Sequence, residues 1–167
     1  MIILGVDPGV GTTGWAVLGG DPESPILLEY GAIRTRPVDE MPLRLELIFT
    51  ALRKVLEQHH PDEMAIEDVF LAKDTRAALA LGQARGAALL AAAVSGVAVR
   101  SYSALEVKQS VTGHGRASKD QVAFMVQRLT QIESLPQPQD CTDAAGIALC
   151  HLLRSSSSAL SALGAAR

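Results

Sequence analysis

The chain has 167 residues, of which 48% are hydrophobic and 4% aromatic, with a formal net charge of −3. That length fits one domain with a good-sized core, and the abundance of Ala and Leu favours helices packed closely on a sheet over an all-β sandwich. The net charge by itself argues against a generic nucleic-acid binder.

Residues 2–6, Ile-Ile-Leu-Gly-Val, are apolar, rich in β-branched side chains and stopped by Asp7-Pro8-Gly9. They predict a buried strand in the middle of a helix-covered sheet. Asp7 then stands at the carboxyl end of a central strand, where open α/β sheets place ligands. A charge there needs a partner or a cation, which points to a divalent metal. Gly9-Val10-Gly11-Thr12-Thr13-Gly14 satisfies the dinucleotide fingerprint, but a helix must open there, and residues 14–18 read as a second strand closed by Gly19-Gly20-Asp21-Pro22. The same hairpin resembles the phosphate-binding turn of actin-like ATPases, which need two such domains. A tight turn with left-handed glycines explains the glycines but not Asp7.

Residues 26–33 alternate poorly yet read as a third strand, completing an antiparallel meander. Residues 34–40 form a polar loop. Leu45, Ile48, Leu52, Val55 and Leu56 recur at helical spacing up to His59-His60-Pro61, and both histidines are expected to be exposed. Residues 64–68 predict a fourth strand ending in Glu67 and Asp68. A long small-residue helix over 74–95 and a fifth strand over 97–99 follow. Ser103 and Ser118 each stand three residues before Glu106 and Gln121, so each opens a helix with a capping box, and Gly113-His114-Gly115-Arg116 between them is a mobile basic turn. Asp140 or Thr142 caps a last helix that packs through Ala144, Ala145, Ile147 and Ala148.

The chain reads as a single domain over 1–155 with a low-complexity, flexible tail over 156–167. Cys141 and Cys150, nine residues apart, lie about 13 Å apart if both are on that helix, beyond disulfide reach, and are expected to be core thiols. No basic segment precedes an apolar one at the start. The longest uncharged run, 86–99, is too short for a membrane span. A cytoplasmic protein without membrane contact is expected.

Residues 1–69 carry five basic and twelve acidic side chains, residues 70–139 eight and four. Such a division suits a carboxylate site beside a basic surface. Asp140 and Asp143, three apart, share one side of a helix start, where the helix dipole favours negative charge. With Asp7 and Glu67 they make a hard oxygen set of the kind Mg²⁺ or Mn²⁺ prefers. Two such ions suit phosphodiester hydrolysis. Lys108, Arg116 and Lys119 surround a helix–turn–helix connection suited to phosphate, and Phe70 is either core or a wedge between bases.

Taken together, Gly5-Val6-Asp7-Pro8-Gly9, Ile66-Glu67-Asp68-Val69-Phe70, Leu81-Gly82-Gln83-Ala84-Arg85-Gly86, Val107-Lys108-Gln109 and Asp140-x-x-Asp143-Ala144 resemble the RuvC family of Holliday-junction resolvases, from residue 1 to about 153. The resemblance implies an α/β, ribonuclease-H-like fold: a five-stranded mixed sheet with helices on both faces. It implies a homodimer that nicks a four-way DNA junction symmetrically, leaving 5′-phosphate and 3′-hydroxyl ends, and that works with the RuvA–RuvB branch-migration complex. By the same resemblance Asp7, Glu67, Asp140 and Asp143 hold two metal ions, Lys108 and Lys119 stand at the catalytic rim, and Phe70 stacks on bases. Lys73, Arg76, Gln83, Arg85, His114 and Arg116 complete the candidate DNA contacts. Asp68 stands where another family member has Gln, and either tunes the metal or faces solvent. A catalytically silent junction-binding module and an actin-like nucleotide-binding fragment are the rival readings.

Overall fold

A computed structural model describes residues 1–68 and 75–164, with side chains to residue 155. Five strands form one sheet in the order β3-β2-β1-β4-β5: β1 Ile3–Asp7, β2 Thr12–Asp21, β3 Ser24–Arg34, β4 Glu63–Glu67 and β5 Ala98–Tyr102. β1, β2 and β3 make the expected antiparallel meander, while β4 and β5 add in parallel beside β1. Parallel neighbours need crossovers, and α1 (Met41–His59) and α2 (Thr75–Val94) lie in those connections. The remaining helices are α3 (Ala104–Thr112), α4 (Lys119–Thr130) and α5 (Gln139–Gly164).

The two-residue period of the pleat divides the core. Leu4, Val6, Val17, Met64 and Ile66 join α1 and α2 on one face, and Ile3, Ala16, Leu18 and Ala65 join α3, α4 and α5 on the other. Helices on both faces are thus present, as expected. By the same alternation, Asp7 shares a face with Ile3 and Gly5, and Glu67 shares one with Ala65. Both acids therefore face the α5 side.

Gly5 and Gly14 let α5 lie close on this face. A Cβ on Gly5 would meet the Ala144 carbonyl oxygen at 2.1 Å, and one on Gly14 would meet that of Asp140 at 2.1 Å. The expectation of left-handed glycines in the 9–14 turn is corrected: the positive-φ glycines are Gly20, Gly96 and Gly113. In this hairpin Gly14 serves close approach, not turn geometry.

The meander strands outrun their predicted bounds. Gly19, Gly20 and Asp21 continue pairing, with Asp21 opposite Ser24, so the chain reverses at Pro22-Glu23. The weak alternation of 26–33 comes from a bulge: Val17 pairs Glu29 while Leu18 pairs Leu27, which leaves Leu28 as the extra residue. Such an insertion shifts the side-chain period.

Both capping boxes form, at Ser103–Glu106 and Ser118–Gln121. Neither proposed cap opens α5. Asp140 is in its first turn, and the Thr142 hydroxyl donates to the Pro136 carbonyl at 2.8 Å. His60 is exposed, but His59 is half-buried, its ring tilted against Trp15 and its Nε2 3.0 Å from Glu29. Both cysteines are buried free thiols. Length and composition alone would let α2 cross a membrane; Ala84, Ala88, Ala91 and Ala92 pack one side of it into the core with α1.

Gly5→Ala or Gly14→Ala is expected to cost at least about 1–3 kcal/mol, as overpacking does, because backbone rather than a yielding side chain stands in the way. Gly11→Ala, with nothing within 4 Å of its added Cβ, should stay within about 0.5 kcal/mol of wild type. Urea midpoints at constant m-value check both.

Candidate active site

Asp7 and Glu67 are the last residues of adjacent parallel strands. Val6 is opposite Ile66, so the two acids stand next in line. Their carboxyls hydrogen-bond one another. Where the α5 start crosses β1 and β2, the close approach at Gly14 carries Asp140 and Asp143 to the same place. The Asp7 carboxyl feels the charge of all three other acids, so the four predicted ligands do come together.

Lys119, the first residue of α4 after the Ser118 cap, places Nζ 2.7 Å from Asp143 Oδ2. Glu67, Lys108, Lys119 and Asp143 line one pocket, floored by Val107, Val122 and Ile147. The turn over residues 8–13 is braced by groups that spacing does not reveal. Thr13 Oγ1 donates to the Gly9 carbonyl at 2.8 Å, Thr35 Oγ1 donates to the Val10 carbonyl, and Arg44 Nε donates to Thr35 Oγ1 at 2.8 Å. Thr13 braces the turn from within it, while Thr35 and Arg44 reach the hairpin from outside and leave no pattern in the sequence.

Burial above all, then the charges of Glu67, Asp143 and Asp140, pushes Asp7 up to about 8, against a smaller opposing pull from Lys119. Burial also raises Glu67, partly offset by its hydrogen bond with Asp7. The Asp143 hydrogen bond holds Lys119 above its ordinary value. Without a cation, the site keeps a proton between Asp7 and Glu67 at neutral pH. Among the described residues no three His, Cys, Asp or Glu side chains are already drawn to ligand spacing. The fit to a metal therefore rests on chemistry and charge: four hard oxygen donors, crowded, half-desolvated and short of positive charge. A divalent cation supplies what one lysine does not.

Of the candidate DNA contacts, His114 and Arg116 are exposed on the basic turn, and Lys108 is at the pocket. Arg76 and Gln83 are exposed on α2. Arg85 turns inward, with a side chain only 19% exposed. Phe70 and Lys73 lie outside the described residues. Asp68 is 58% exposed and stands 3.4 Å from Arg85.

The family model for crossover junction endodeoxyribonuclease RuvC matches residues 3–151. The chain belongs to the RuvC family. The crossover junction endodeoxyribonuclease RuvC of Shewanella piezotolerans is 49% identical over 150 residues, covering 90% of this chain and 86% of that protein. The one from a Geobacter species is 45% identical over 160 residues, covering 96% and 97%. Thermus thermophilus RuvC, solved in complex with a Holliday junction substrate, superposes with a TM-score of 0.91 at 32% identity over 95% of this chain and 96% of that one. The expected ribonuclease-H-like fold is the fold of this family.

Because Asp7 binds its proton more tightly folded than unfolded, its contribution destabilises the metal-free protein progressively as pH rises from about 4 towards 8. Asp7→Asn is expected to remove that slope and to raise the melting temperature in EDTA at pH 8, by about 2–4 °C for each kcal/mol of repulsion relieved. Thermal melts of both proteins in EDTA across pH 5–8 measure it.

Proposed function

We propose that this protein resolves Holliday junctions: an endodeoxyribonuclease that cuts two symmetric strands of a four-way junction and leaves 5′-phosphate and 3′-hydroxyl ends. The observation that carries the reading is the meeting of Asp7, Glu67, Asp140 and Asp143 beside Lys119 in a chain of the RuvC family. Membership makes the protein a nuclease of the crossover-junction class. The likeness to Thermus RuvC solved on a junction supports the four-way substrate.

The four carboxylates would hold Mg²⁺ or Mn²⁺, two ions per site, which when bound supply activation of the attacking water and stabilisation of the leaving oxygen. The chain's own groups do the rest. Asp7 would have to release its proton to solvent for all four carboxylates to hold a cation. Lys119, 2.7 Å from Asp143, would present its ammonium to a phosphate oxygen, and Lys108, lining the same pocket, would present another. Asp140 and Asp143 sit at the start of α5, where the helix dipole favours negative charge. Phe70, Lys73, Arg76, His114 and Arg116 are proposed to guide the DNA arms.

Symmetric cutting needs two sites, and α2 offers the surface for a second copy. Leu79, Leu90 and Val94 are 66%, 55% and 58% exposed, and they share a helical side with Gln83 and Gly86. Large apolar side chains left open in this way mark an interface, and Gly86, with nothing within 4 Å of an added Cβ, leaves room for a partner helix. A homodimer through α2, a cytoplasmic location and service to the RuvA–RuvB complex complete the proposal. The nuclease domain is residues 1–155, followed by a tail over 156–167.

The deciding experiment is cleavage of a labelled mobile four-way junction and a linear duplex of matching sequence with Mg²⁺, Mn²⁺ or EDTA. Paired symmetric nicks are expected on the junction alone and none in EDTA; binding without scission under every condition would overturn the reading. Asp140→Asn should bind the junction yet lose at least about 100-fold in cleavage rate, a loss at or above the upper range for groups that only support a metal's ligands. Leu79→Glu with Leu90→Glu should sediment as a monomer at micromolar concentration and lose coincident cutting of the two strands.

A further inference from the structure

Glu67 is where β4 leaves the sheet, so the backbone there decides where its carboxylate points. That exit is tied down from two sides. The Asp68 N–H donates to the Tyr102 carbonyl at 2.8 Å, which extends the β4–β5 ladder by one residue. From α2, beside buried Ala84 and Ala88, Arg85 reaches across both strand ends. Its Nε donates to the Glu67 carbonyl at 3.2 Å, its Nη2 donates to Ser101 Oγ at 2.6 Å, and the same nitrogen stands 3.4 Å from Asp68 Oδ1.

A guanidinium is planar and forked, so one side chain satisfies several fixed acceptors at once, which a lysine cannot do. Here the fork joins a helix to the ends of two neighbouring strands. A phosphate-binding arginine presents its fork to solvent, whereas this one is 19% exposed and committed to three protein partners.

We propose that Arg85 is a positioning residue for the Glu67 carboxylate, and that Asp68 is the counter-ion that holds Arg85 in place rather than a metal ligand. The inference rests on the reading of Glu67 as a metal ligand. The geometry separates the two neighbouring acids by role. Glu67 lies beside Asp7 on the α5 side of the sheet, and Asp68 pairs towards α2. Groups that orient a metal's ligands typically change metal affinity or activity about 10–100-fold when removed.

Three measurements on the full chain test the assignment: the Mn²⁺-induced rise in melting temperature of the metal-free protein, the Mn²⁺ dependence of single-turnover junction cleavage, and junction affinity in EDTA. Arg85→Ala is expected to shrink the Mn²⁺-induced rise and raise the Mn²⁺ needed for half-maximal cleavage about 10-fold, with junction affinity in EDTA unchanged. Arg85→Lys should recover part of the Mn²⁺ response. If Arg85→Ala does not fold, Ser101→Ala carries the test, since Ser101 is exposed and its loss removes one arm of the fork; it should shift the Mn²⁺ response the same way by less. An Mn²⁺ response equal to wild type in the folded variants overturns the proposal. So does a junction affinity in EDTA that falls in step with cleavage, because that is the signature of a phosphate contact. A wild-type protein with no Mn²⁺ response would overturn the reading of the carboxylate site itself, and this assignment with it.

Discussion

The contact on which the rest depends is the seating of α5 against β1 and β2. Two missing side chains permit it, at Gly5 and Gly14, where any Cβ would stand 2.1 Å from a carbonyl oxygen of the helix. Strand ends supply Asp7 and Glu67 on one face, but strands alone leave that face open. Only a helix lying within backbone contact delivers Asp140 and Asp143 to the same point. The packing below the site serves the same end. Ala144, Ala145 and Ala148 are fully buried against the sheet, and their small size keeps the helix axis low along its length. Bulk at any of these positions would lift the first turn away from Asp7, so the meeting of the four carboxylates is set by what the interface leaves out.

That seating carries an electrostatic cost. Bringing four carboxylates to a half-desolvated point opposes folding until a cation arrives, and the raised Asp7 measures the conflict. Lys119 relieves a part of it through Asp143. The lysine backbone is held by a capped helix start rather than by a loop, and its ammonium reaches Asp143 from there. The outcome resembles other sites where function is kept at the expense of stability: the core must hold together a centre that repels itself.

Much of this was legible in the residues. Short apolar runs that end in acids mark the strands carrying Asp7 and Glu67, and S-x-x-E and S-x-x-Q mark the starts of α3 and α4. These signals are local, which is why they survive in a single sequence. What failed was non-local. The role of Gly14 depends on a helix more than a hundred residues away, and the Leu28 bulge depends on pairing with β2. His59 was read as exposed because it precedes a proline, yet Trp15 and Glu29 come from other strands to cover it. Thr35 and Arg44 brace the Asp7 hairpin through single hydrogen bonds, and Arg85, expected among the DNA contacts, turns inward to the strand ends.

Arg85 also changes how α2 is to be understood. One side of this helix is buried alanine, another is the open stripe of Leu79, Gly86 and Leu90, and between them Arg85 grips the exit of β4. A partner copy docked on the stripe would press on the same rigid element that fixes the backbone of Glu67. A close-packed helix transmits strain, so a displacement of α2 would reach Glu67 through the one hydrogen bond from Arg85 Nε to its carbonyl. In a monomer the same helix is held on one side only. The open stripe and the grip on β4 thus share one helix, and whatever loads the stripe also bears on the backbone of Glu67.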